Sequence, residues 1–173
     1  MDQPTPQPGN QPHTPHSPDS AKVVDLLRDE RLAMVTTIGA DGGLQARPMA
    51  IQKVADDGDL WFFIGRTSDQ ARAIEAEPRL NVAVSSQGTW ISVAGRGEIL
   101  RDEALIEELW GPLVEAWFTG GPTDPEVGLL HVDADSAEYW DSPGGRVASL
   151  VSFVKAKAAG ERIEGDNAAT QMP

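Results

Sequence analysis

Short apolar runs broken by clusters of Asp and Gly constrain this chain more than any other feature. Leu32–Ile38 is apolar and β-branched, and Ala40-Asp41-Gly42-Gly43 supplies turn chemistry after it, with residues 44–54 reading as the returning strand of a hairpin. Asp56-Asp57-Gly58-Asp59 makes the next turn, leading into the run Leu60-Trp61-Phe62-Phe63-Ile64. Residues 80–86 and 89–100, separated by Gln87-Gly88, form a second hairpin, and 127–133 and 137–140 read as two closing strands. Helices are few. Ser20 can cap a short one to about Glu30, Ser68 one reaching Glu77 before Pro78, and Asp102 opens the longest helical stretch. Closely spaced short strands with little helix between them predict a mainly β, antiparallel barrel with flanking helices, not a βαβ sheet.

Composition narrows the function. The chain has 173 residues and a formal charge of −13, and no apolar run approaches the ~18 residues of a membrane span. Strong acidity argues against a nucleic-acid binder, which needs a positive face. With no Cys and three His, thiolate metal sites, disulfides and Cys nucleophiles are ruled out and a His-built metal site is disfavoured. Residues 1–20 hold six of the thirteen prolines and no Leu, Ile, Val or aromatic residue, which predicts a disordered tail. That tail lacks a signal-peptide pattern, so a cytoplasmic location is expected. The folded domain is expected over 21–145. Residues 146–173, with Arg146, Lys155, Lys157 and Arg162, are expected to form a basic amphipathic helix to about Gly160 and a tail.

Leu105, Leu109, Leu113 and Trp117 recur every four residues beside a second row of Ile106, Trp110, Val114 and Phe118. Together they form one broad apolar stripe, expected to face the core at Leu105, Leu109 and Leu113, with a kink or a junction of two helices at Gly111-Pro112, where proline cannot donate. Trp90, Trp110, Trp117 and Trp140 are more large rings than a small core needs, so some are expected at a subunit interface or against a planar ligand.

Catalytic signatures are sparse. Gly39, Gly42 and Gly43 lack dinucleotide-binding spacing, no phosphate-loop lysine is present, and His131 lies mid-strand in an apolar stretch, as a structural histidine would. What remains is a binding arrangement. Pro48 removes a ladder donor, so Arg47-Pro48-Met49 belongs on an edge or irregular strand. Thr67-Ser68 opens a helix whose free N–H groups favour an anion, and Arg47 could reach the same anion.

Gln45-Ala46-Arg47-Pro48-Met49, then Leu60-Trp61-Phe62-Phe63, then Ser68-Asp69-Gln70 resembles the FMN-binding split-barrel superfamily of pyridoxamine 5′-phosphate oxidase. The later segments Ser92-Val93-Ala94-Gly95, Leu109-Trp110-Gly111-Pro112, Gly121-Pro122-Thr123-Asp124-Pro125 and Glu138-Tyr139-Trp140 resemble its general stress protein branch. The resemblance implies a six-stranded antiparallel split barrel, homodimeric, with FMN in clefts at the interface. It implies that Arg47, Thr67 and Ser68 hold the phosphate and that the backbone at Pro48 and Met49 faces the flavin ring. It also implies that the backbone of Phe62, Phe63 and Ile64 lines the ring edge, with Trp110 and Trp140 of the second subunit touching the ring. Gln70 stands where the family commonly has a phosphate-binding lysine. Losing one such contact costs about 1.5–3 kcal/mol, roughly ten- to a hundredfold in affinity; Arg66 and Arg72 are candidate replacements. A deazaflavin or an empty cleft are the alternatives to FMN. The expected function is a flavin-dependent oxidoreductase using a nicotinamide or another small-molecule redox partner, with no nucleic acid or membrane involved. The alternative is a non-enzymatic module that binds, stores or senses flavin. Pyridoxamine phosphate oxidase activity itself is not implied, because only Arg146 is left to match the family's C-terminal substrate-binding residues.

Overall fold

A computed structural model describes residues 18–86, 88–141 and 166–172. The elements in chain order are α1 (Pro18–Arg28), β1 (Leu32–Ile38), β2 (Leu44–Ala50), β3 (Lys53–Val54), β4 (Leu60–Gly65) and α2 (Asp69–Ala76). They continue with β5 (Arg79–Ser86), β6 (Thr89–Leu100), α3 (Glu103–Leu109), α4 (Pro112–Glu115), β7 (Val127–Asp141) and β8 (Asp166–Gln171). One antiparallel sheet runs in the order β2-β1-β5-β6-β7-β4-β3, and β8 adds to β7.

The two ends of that sheet, β2 and β3, are separated in sequence only by Ile51 and Gln52. Three Cα–Cα steps span at most about 11 Å. The sheet must therefore curl until its ends meet. Ile51 N donates to Arg31 O (3.0 Å) beside β1, and Gln52 N donates to Trp61 O (2.9 Å) on β4. Past that junction β3 pairs with β4 only at Lys53↔Trp61 and Val54↔Leu60. β2 and β4 run close together beyond it without a ladder, which leaves the barrel split along one seam.

Alternation follows the barrel. β1 reads exposed–buried along its length, and Val35, Leu60, Phe62, Val82, Val93, Leu130 and Val132 fill the interior. Val23, Val24 and Leu27 of α1 and Ala71 and Ile74 of α2 close the same core. A second cluster forms on the outer face of β4 and β7, where Phe63, Val127 and Leu129 meet Ile106 of α3 and Val114 of α4.

The expected hairpins are present, and the curled antiparallel sheet with its flanking helices matches the expected split barrel. Residues 44–54 form β2 and β3, broken at the closure. Four features differ from expectation. α1 begins at Pro18, so Ser20 is buried in its first turn and is not its cap. The closing strands are a single β7, because a bulge absorbs the polar interruption: Ala94 pairs with Ser136 but Gly95 with Ala134, leaving Asp135 extra. Residues 166–171, expected as tail, pair with Ser136–Asp141 as β8, and Met172 enters the core. The expected helix to Gly160 lies outside the described residues, as does the tail before residue 18.

The fourth difference is the aromatic stripe. Gly111-Pro112 is a junction of two helices, as one of the two expectations had it: α3 ends and the chain restarts as α4 with Pro112 in its first turn. Ile106, Trp110, Val114 and Phe118 stay on the core side, whereas Leu113 is 59% and Trp117 80% exposed. A continuous helix would have carried both rows inward; the new helix axis carries only one.

No described helix covers the outer face of β2, β1, β5 and β6. Leu44 (76% exposed), Leu32 (63%), Met34 (42%) and Trp90 (46%) lie there among Ala46, Pro48, Ala83 and Ala94. Trp90 pairs across the ladder with Trp140, which is also exposed. Thr36, Asn81, Ser85 and Ser92 share that face, so it mixes exposed apolar side chains with small polar ones.

At the bulge, a Cβ on Gly95 would sit 2.3 Å from Asp133 O, a backbone atom that cannot swing away. Gly95→Ala is expected to lower stability by about 1–3 kcal/mol, read as a lower urea midpoint.

Candidate functional site

The seam between β2 and β4 is the place to look for binding, because there the backbone has an unpaired edge. β4 pairs with β7 from Leu60 to Gly65, but its other side meets β3 only at Leu60 and Trp61. The backbone of Phe62, Phe63 and Ile64 therefore presents a free edge toward β2. The side chains of Phe62 and Ile64 point into the barrel core and that of Phe63 into the second cluster, so only main-chain groups face the seam.

β2 forms the opposite wall. As an end strand it tolerates Pro48, whose missing N–H breaks no second ladder. Gln45, Arg47 and Met49 alternate onto one face, away from the bare apolar side. Met49 packs against the barrel core, and Gln70 Nε2 of α2 donates to its sulfur at 3.4 Å. The first turn of α2 thus lies against the face of β2 that carries Met49.

Arg47 is the unusual group. Its Nη2 donates to Gln45 Oε1 at 3.1 Å, while its Nη1 is buried with no hydrogen-bond partner. Buried donors are nearly always paired. An acceptor in the seam would satisfy this one.

Other expected groups are committed within the fold. Ser68 Oγ accepts from Ala71 N at 3.1 Å as the cap of α2. The Thr67 hydroxyl donates to Glu126 Oε2. Gln70 is buried against Met49. Neither arginine proposed to replace the lysine is aimed at the seam. Arg66 Nη1 donates to Pro125 O at 3.1 Å, and Arg72 donates to Thr67 O and pairs with Asp69. Trp110 sits edge-on to Phe63 of its own chain, ring centroids 5.6 Å apart, and Trp140 lies on the exposed sheet face. Away from the seam, the side-chain hydrogen bond from Arg79 holds the exposed Glu77 carboxyl down at about 2. Whatever that pair contributes to stability is present above the ordinary carboxylate range and lost as the pH falls toward that value.

Two arrangements were not visible in the sequence. Arg101 donates through Nη1 to Asp124 O (2.7 Å) and Val127 O (2.9 Å) and through Nη2 to Thr123 O (3.4 Å), clamping the loop that delivers Glu126 to Thr67. His131 Nε2 lies 2.7 Å from Asp59 Oδ2 and its ring stacks on Trp61 at 4.6 Å, while Asp59 Oδ1 accepts from Ala134 N. The second arrangement agrees with a structural His131: the pair ties the turn before β4 to β7 beside the bulge. Among the described residues no three His, Asp or Glu gather as metal ligands, and no helix is long and apolar enough to cross a membrane.

A curled, mainly antiparallel sheet split along one seam, with flanking helices, defines a split-barrel type of protein. The chain belongs to the family described as pyridoxamine 5′-phosphate oxidase like, whose sequence model matches residues 18–164, and within it to the general stress protein branch. It is similar to general stress protein 26 from Jannaschia sp. CCS1 (29% identity, TM-score 0.73), with 87% of this chain and 96% of that one covered. The general stress FMN/FAD binding protein of Xanthomonas citri is 34% identical, with 70% and 87% covered and a TM-score of 0.61. Protein bli-3 of Neurospora crassa is 29% identical over 154 residues, 76% of this chain and 74% of that one.

Arg101→Ala leaves three carbonyls without their shared donor. It is expected to cost about 2–4 kcal/mol and to raise amide exchange around residues 123–127 first.

Proposed function

We propose that this protein binds FMN in the β2–β4 seam as a homodimer and works as a flavin-dependent oxidoreductase. The observation that carries the reading is the buried Arg47 Nη1 without a hydrogen-bond partner, on a strand that runs beside the unpaired edge of β4. The name of the Xanthomonas citri relative, an FMN/FAD binding protein, points the same way. Arg47 donates to the phosphate, with the Thr67 hydroxyl and the start of α2 beside it. Main-chain groups of Pro48, Met49, Phe62, Phe63 and Ile64 line the ring.

The bare face of β2, β1, β5 and β6 supports the dimer, because exposed Leu44, Leu32, Met34 and Trp90 are apolar side chains that a second copy would bury. That face includes the back of β2, so the seam between copies adjoins the cleft. Trp140 of the partner subunit and Trp110 of the partner subunit then cover the ring. When bound, the flavin supplies two-electron redox chemistry. The residues of this chain anchor it, orient its edge and exclude water. That division of labour explains why no acid–base pair stands out in the sequence. Gln70 in the lysine position favours a second reading, a flavin or deazaflavin carrier without turnover.

Purified protein is expected to show absorption bands at roughly 370 and 450 nm, those of oxidised flavin. A colourless protein that FMN does not titrate defeats the reading. Steady NAD(P)H consumption beyond one equivalent of flavin identifies the enzyme, and a single stoichiometric reduction identifies the carrier. Arg47→Ala is expected to weaken FMN roughly ten- to a hundredfold with little change for riboflavin, which has no phosphate. Gln70→Lys is expected to tighten FMN selectively; equal shifts for both ligands would remove the phosphate from this place.

A further inference from the structure

Among the described residues, the two buried side-chain polar atoms without a hydrogen-bond partner are Arg47 Nη1 and Thr37 Oγ1, and Gln45 adjoins both residues. Thr37 lies directly across from Gln45 in the β1–β2 ladder, and Arg47 follows Gln45 by two positions on the same face. Gln45 Oε1 accepts from Arg47 Nη2 at 3.1 Å. The other end of the amide rests against the turn: a Cβ on Gly39 would come within 2.9 Å of Gln45 Nε2. That turn is closed by two backbone bonds of 2.8 Å, Gly39 N to Gly43 O and Gly42 N to Gly39 O.

The arrangement suits an arginine that must meet an anion. A guanidinium on a long, rotamer-rich stem binds more tightly when its plane is fixed in advance. Gln45 holds Nη2 and leaves Nη1 for an acceptor. Being neutral, it fixes the group without offsetting its charge, as an Asp or Glu would. No Asp or Glu pairs with Arg47 among the described residues.

We propose that Gln45 is a positioning residue, which orients the Arg47 guanidinium through Nη2 so that Nη1 donates to the phosphate of the bound flavin. The proposal rests on the flavin reading and deepens it. Gly39 helps, because its missing side chain lets the Gln45 amide lie over the β1–β2 turn. Riboflavin has no phosphate, so its binding is indifferent to Gln45.

Dissociation constants for FMN and riboflavin, measured by flavin fluorescence on the full chain, test this. Gln45→Met keeps the length of the side chain but offers no strong acceptor. It is expected to weaken FMN about three- to tenfold, the range of one net hydrogen bond, with riboflavin staying within about twofold. Gln45→Glu keeps an acceptor but adds a charge opposed to the phosphate. Compared with the unmodified protein at the same salt, its FMN loss is expected to fade at ~1 M salt, where the screening length falls to about 3 Å. The Gln45→Met loss is expected to persist there.

An unchanged ratio of FMN to riboflavin affinity in Gln45→Met overturns the role of Gln45 and leaves the flavin site standing. Equal losses of both ligands overturn it too, since they mark Gln45 as a support of the fold alone. A Gln45→Glu loss as resistant to salt as that of Gln45→Met has the same force, because the acceptor would then not matter. Should Gln45→Met fail to fold, Gly39→Ala carries the same reading, as its methyl group crowds the Gln45 amide from outside. Failure of the unmodified protein to bind either flavin overturns the site itself, and this inference with it.

Discussion

Everything in this molecule follows from a short tether: two residues, Ile51 and Gln52, join strands that sit at opposite ends of one sheet. Their backbone N–H groups bond to both flanks, to Arg31 O and to Trp61 O, so the ends are drawn together whatever the side chains do. An eight-stranded antiparallel sheet held this way becomes a barrel. The same tether accounts for the gap, because the chain that closes the barrel at β3 departs from β4 after two pairs. Closure and cleft have one cause.

The cleft is modest in charge. A guanidinium supplies the cation, a helix start supplies dipoles, and a glutamate from a loop far along the chain sits on the nearest hydroxyl. In a surface cleft, effects of this size are each worth on the order of 1 kcal/mol. Gln70 is buried against Met49 and helps seat α2 on β2. A lysine there would add charge but would give up an amide suited to a dry contact.

Local chemistry made much of the fold legible. β-branched runs, Asp-Gly turns, the Ser68 and Asp102 caps and Pro112 all act within a few residues, and the elements they specify are present. Expectation and structure part where a distant partner overrides the local signal. Ala134-Asp135-Ser136 looks like a break, but β6 offers Gly95 with room for no side chain, and the bulge lets β7 run through. Residues 166–171 carry little apolar periodicity, yet the open flank of β7 beyond the end of β4 gives them a ladder. Leu113 has the spacing of a core residue and is exposed because the helix axis changes at Gly111.

The sequence by itself determined which residues alternate, where turns and caps fall, and that Arg47-Pro48 must sit on an edge, because these depend on backbone sterics and on donors present or absent within a few bonds. It also carried enough ordered motif to indicate the family. Only the tertiary structure decided that Arg47 ends with a buried, unpaired nitrogen, that Thr67 is taken by Glu126, and that Asp59 meets His131 seventy-two residues away. Those pairings are set by how a closed sheet brings remote loops to one rim, and that curvature is a property of the whole ladder, written in no single segment.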